Sequence, residues 1–129
     1  MNIFKISLLV LFGAFVIGCG NVSPDRVAIG FVEDLHNGNS KSVIKSIYFG
    51  EKLTQDDVTM LEGKVGMLAS EAKVRANQQG GIKSIEVVES DIKENEAKIK
   101  LKINFKNGNN DTTALSLINQ DSKWLVAIK

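Results

Sequence analysis

Apolar residues follow three rhythms along this chain. Ile6 to Ile17 is a run of twelve uncharged, almost wholly apolar residues. Between Val27 and Ala76 apolar residues return every three or four positions, and after Gly81 they alternate with polar ones. A period near 3.6 keeps one face of a helix dry, and a period of two does the same for a strand.

The middle stretch predicts three helices. Ser23-Pro24-Asp25 reads as a helix start: Ser as cap, Pro at the first helical position, Asp at the positive end of the dipole. Val27, Phe31 and Leu35, with Ala28 and Val32 beside them, mark its apolar face, and His36 to Asn39 end it. Ser40 opens a shorter helix with Val43, Ile44 and Ile47 inward, closed by Tyr48-Phe49-Gly50. A third helix begins at Thr54, with Asp57 in place of the usual capping-box Glu. Its stripe is Val58, Leu61, Val65, Leu68, Ala72 and Ala76, and Gly80-Gly81 stops it. Gly63 and Gly66 each weaken this helix by about 1 kcal/mol relative to Ala, so they mark a kink or a close packing contact.

The alternating stretch predicts four strands. Ile82 to Ile92 is the first. In the second, Ala97, Ile99, Leu101, Ile103 and Phe105 face one way, and Lys98, Lys100, Lys102, Asn104 and Lys106 the other. Asn107-Gly108 is a strong hairpin signal. Asp111 to Asn119 and Trp124 to Ile128 complete a meander. Helices followed by strands give an α+β fold, with N-terminal helices packed on one face of a curved four-stranded antiparallel sheet.

The opening run changes the picture of location. At 1.5 Å per residue it reaches about 18 Å, too short to span a bilayer and suited to an export signal. Val16-Ile17-Gly18-Cys19 resembles the bacterial lipobox, Ile17 being bulkier than the commonest occupant. The resemblance implies cleavage between Gly18 and Cys19, with lipid on Cys19, which several acyl chains hold stably in a membrane. The expected organisation is a signal peptide at 1–18, a lipidated tether at 19–23 and a folded domain at 24–129. Gly20 stands where lipoproteins retained in the inner membrane carry Asp. The expected place is therefore the cell envelope, at the outer membrane facing the periplasm in a Gram-negative cell.

Charge and composition narrow the chemistry. With 16 basic and 15 acidic residues there is no overall basic field, so nucleic acid is not an expected partner. One cysteine leaves no internal disulfide, and one His beside it gives little for a metal. No nucleophile elbow or phosphate loop appears, and no cofactor is expected.

The element order resembles the nuclear-transport-factor-2-like fold of the cystatin-like superfamily, over about residues 24–129. More narrowly, the chain is similar to small bacterial lipoproteins of that superfamily related to lumazine-binding domains. The shared pieces are the lipobox, a Pro-initiated helix with a Phe (Pro24, Phe31), Gly38 near that helix's end, and Trp124-Leu125-Val126 in the closing strand. The resemblance implies a cone that can enclose a pocket for ligands or catalysis, and a fold that can form a homodimer through the sheet.

Enzymes of that superfamily place Asp, His or Tyr inside the cone. His36, at a helix end beside Asn37 and Gly38, is expected in solvent. Tyr48 reaches a pocket mouth or packs at the end of its helix. Asp91 and Asp111 flank turns. Glu86 and Glu89 are expected on opposite faces, Glu89 in phase with the core and near enough to a strand end to escape to water. The row Lys98, Lys100, Lys102 and Lys106 is either a surface for an anionic polymer or acidic partner, or a solvated face neutralised across strands, with Glu86 opposite Lys102. The second is the simpler reading. The expected function is a non-enzymatic, lipid-anchored module binding an envelope protein or a small apolar ligand. The alternatives are an isomerase or dehydratase of the same fold, or an envelope immunity or inhibitor protein.

Overall fold

A computed structural model describes residues 22–50 and 52–128. The apolar run, Gly18, Cys19 and most of the tether lie outside the described residues. The elements are α1 (Pro24–His36), α2 (Ser40–Lys45), β1 (Ile47–Tyr48), α3 (Gln55–Gln78), β2 (Ile82–Ile92), β3 (Glu96–Phe105), β4 (Asn110–Gln120) and β5 (Lys123–Ala127).

The helix starts follow from their caps. The Ser23 hydroxyl accepts from the Arg26 N–H at 3.3 Å. At α3 the capping box is complete: the Asp57 N–H donates to the Thr54 hydroxyl, and the Thr54 N–H donates to the Asp57 carboxylate, each at 3.1 Å. These bonds, the backbone one first, hold the Asp57 carboxyl below the usual carboxylate range. Gly38, at φ +76°, supplies the left-handed residue that turns the chain from α1 into α2.

The sheet has five strands rather than four, in the order β1-β5-β4-β3-β2. The second helix ends at Lys45, and Ile47 and Tyr48 run parallel to β5, opposite Val126 and Ala127. The Val126 N–H donates to the Ser46 carbonyl at 2.7 Å. A two-residue strand is too short to show a period, so its partner β5 creates it. The other pairings are antiparallel, as the alternation predicts.

The core lies between the concave sheet face and α1. Ala28, Phe31 and Val32 meet Ile99, Leu101, Ile103, Leu117 and Val126, with Val43 and Ile47 closing one end. On α3 the inward residues are Val65, Ala69 and Ala76, while Leu68 is 58% exposed. The stripe thus passes through Ala69 rather than Leu68. With half-buried Ala72 between Ala69 and Ala76, steps of four, three and four keep it facing α1 and α2, and alanines there let the helices approach closely.

Two register shifts in β2 correct the placement of its carboxylates. One falls between Ile82 and Ser84, the other between Val87 and Glu89. A bulge adds one residue and advances the face alternation by one step. Val88 is the extra residue at the second shift. Glu89 therefore sits opposite Lys100 on the outer face, together with Glu86 opposite Lys102 and Asp91 opposite Lys98. The expectations that Glu86 and Glu89 lie on opposite faces, and that Glu89 shares the core's phase, are both wrong. The bulges also bend the strand, which gives the sheet its curvature.

Candidate functional site

Two hollows flank α1. On one side, α1, the C-terminal half of α3 and the concave faces of β3 and β4 bound a groove of about 470 Å³. On the other, α1, α2 and the β4–β5 turn bound a hollow of about 520 Å³. Phe31 borders both.

The first groove combines an apolar wall with convergent polar groups, the usual character of a ligand site. Its apolar part is Phe31, Val32 and Leu35 from α1, Leu68 and Ala72 from α3, and Ile103 and Leu115 from the sheet. Leu68, displaced from the helix interface, is one of these wall residues. The polar part is His36, Glu71, Arg75, Asp111 and Thr113. An Arg75 guanidinium nitrogen lies 3.3 Å from an Asp111 carboxylate oxygen, bridging α3 to β4 across the groove. Both side chains are largely in solvent (68% and 44% exposed), so the pair closes the mouth loosely and adds little stability.

His36 is half-buried in this wall rather than free in solvent, as its position at the helix end suggests. Its Nδ1 lies 2.9 Å from the Val32 carbonyl, and its ring centroid is 6.3 Å from that of Phe105. A carbonyl only accepts, so Nδ1 carries the proton in this hydrogen bond. In the neutral ring Nε2 is then the acceptor. The back-bond to the preceding turn folds the imidazole against the sheet instead of letting it extend past the cap.

The second hollow differs in lining and position. Val22, Val27, Phe31, Trp124 and Leu125 give it apolar patches, and Asp34, Lys45, Asp121 and Lys123 make it charged. It adjoins the residue immediately before the cap of α1, whereas the groove lies at the other end of that helix.

The other candidates do not come together. Tyr48 is half-buried on the edge strand β1, opposite Ala127. Lys98, Lys100 and Lys102 point outward from β3. On one side they face Asp91, Glu89 and Glu86, and on the other Ser116, Ala114 and Thr112. Each of these lysines thus has a carboxylate opposite it on β2, the Glu86 carboxylate accepting a hydrogen bond from the Asn104 side chain at 2.7 Å, and the row lies on the face opposite the groove. Asp111 is the site residue that its turn position concealed. Its phase was available: it alternates with Thr113, Leu115 and Leu117, the inward face of β4. Nothing in sequence spacing joins it to Arg75, which is 36 residues away.

Comparison with known proteins gives two kinds of match. Residues 17–127 match the family model described as a domain of unknown function, DUF4878. A Campylobacter jejuni protein named as a candidate NTF2-like transpeptidase, solved at 2.00 Å, superposes with a TM-score of 0.79 at 32% identity, covering 84% of this chain and 100% of that one. A de novo designed protein with a curved β-sheet gives a TM-score of 0.44 at 14% identity, covering 82% of this chain and 84% of the design. No curated protein matches the chain.

Proposed function

The chain belongs to the DUF4878 family and has an NTF2-like fold, and from that premise we propose that it is a lipid-anchored binding domain of the cell envelope, non-enzymatic, whose groove takes a small apolar ligand with one polar end. The groove carries this reading. Leu35, Leu68, Ile103 and Leu115 offer an apolar bed, and His36 and the Arg75–Asp111 pair add polar groups to its lining. Burying an apolar ligand body there stabilises the complex by about 25 cal/mol per Å² before the costs of immobilisation. The match of Val16 to Cys19 to a lipobox supports the anchor, and Gly20 supports the outer membrane.

The Campylobacter protein's name raises transpeptidation as a second possibility for the fold. That reaction requires a nucleophile activated by a base. Among the described residues His36 is hydrogen-bonded to the Val32 carbonyl and to no hydroxyl, which supports binding over acyl transfer.

The test is a titration of the full chain with anilinonaphthalene sulfonate, an apolar probe with one anionic end. Fluorescence should rise to saturation at one site. Thr113→Trp, which fills the groove from the inward face of β4, should abolish the rise without altering the circular dichroism. An unchanged rise in that variant would place the probe elsewhere and overturn the reading.

A further inference from the structure

The side of α3 opposite its buried residues carries an apolar ridge. Met60, Met67 and Val74 follow one another at seven-residue steps and are 57%, 67% and 52% exposed. Beside the ridge runs a shallow trough of small residues, Gly63, Gly66 and Ser70. Among the described residues, a side chain added at Gly63 or Gly66 would meet nothing within 4 Å beyond its chain neighbours and the backbone of its own helix turns. Two helix-weakening glycines therefore have no packing explanation among the described residues.

We propose that this face of α3 docks onto the same face of a second copy, the two helices running antiparallel. In that arrangement the two ridges meet along the symmetry axis and the trough of one copy faces that of the other, where small residues let the helices approach closely. The flanking charges select both the occupant and the direction. In seven-residue registry Lys64 and Glu71 occupy the same flank, and in an antiparallel pair that flank faces itself. Each Lys64 then meets the partner copy's Glu71, and the pairing occurs twice by symmetry. A parallel pair would lose both contacts and bring Asp56 onto its own copy. A membrane surface fits less well, because the polar part of α3 mixes both signs rather than presenting a basic face. A helix of 24 residues, about 36 Å long, gives a contact at the small end of specific interfaces, so the dimer is reversible.

Thiol cross-linking of the purified full chain with a short bifunctional reagent tests this, with the unsubstituted chain as background because it carries Cys19. Met67→Cys, near the symmetry axis, should cross-link to itself. Met60→Cys and Val74→Cys should each fail alone and succeed when mixed. Lys64→Glu should lower the Met67→Cys yield about tenfold, and adding Glu71→Lys should restore it. All substituted positions are on the exposed face, and circular dichroism checks that each variant folds. Self-linking at all three positions would overturn the antiparallel arrangement. No specific linking at any of them, as a sheet-mediated dimer or a monomer would give, would overturn the proposal.

Discussion

Thr54 and Asp57 show how much one local pair of residues decides. Their two reciprocal bonds satisfy amides that the first turn of α3 leaves without partners. Thr54→Ala should cost about 1 kcal/mol in urea denaturation. The folded carboxyl of Asp57 lies below its ordinary value of 3.8. Its contribution is therefore fully present above that value and disappears as pH falls through the lowered one. Asp57→Asn should flatten the acid limb of stability against pH, and an unchanged limb would show that other carboxylates set it. This pair was legible from sequence because capping joins neighbours three residues apart. His36 was legible only as a residue type. Its back-bond to Val32 and its place against Phe105 come from the sheet beneath it.

At the scale of elements, periodicity located every segment longer than five residues and missed the shortest. Helix and strand periods arise from one face being buried, so they are readable wherever several turns or pleats repeat. β1 repeats nothing, and a bulge shifts the repeat without announcing itself. That is why Glu89 read as inward while the register puts it opposite Lys100. α3 also separates local propensity from assembly. Its exposed Gly63 has open space around it, so Gly63→Ala should stabilise the isolated molecule by about 1 kcal/mol, measured by thermal unfolding in dilute solution. A loss of stability would mean that the helix needs its flexibility there. The same substitution narrows the trough, so it should weaken self-association while strengthening the fold.

At the scale of the molecule, α1 is the wedge between two hollows, and its direction gives them different surroundings. The helix begins at Pro24, and the groove lies along Phe31 to His36, about 10 to 18 Å further on by helix rise. With a lipid at Cys19, the hollow beside Val22 is at the anchored end and the groove is carried outward. Cys19→Ala should leave an uncleaved precursor in the cell, visible as a slower band by immunoblot. Normal cleavage together with loss from the membrane fraction would contradict the anchor.

The sequence by itself determined the order of helices and long strands, the caps, the Asn-Gly turn and the alternation that buries one face of β3. Each of these rests on residues within a few positions of one another, where backbone geometry fixes which side chains share a face. Tertiary structure decided the fifth strand, the bulges that turn Glu89 outward, the choice of Ala69 over Leu68, and the meeting of His36, Arg75 and Asp111 at one groove. Those outcomes depend on contacts between distant segments, and only the packing of α1 against a curved sheet fixes the distances between them.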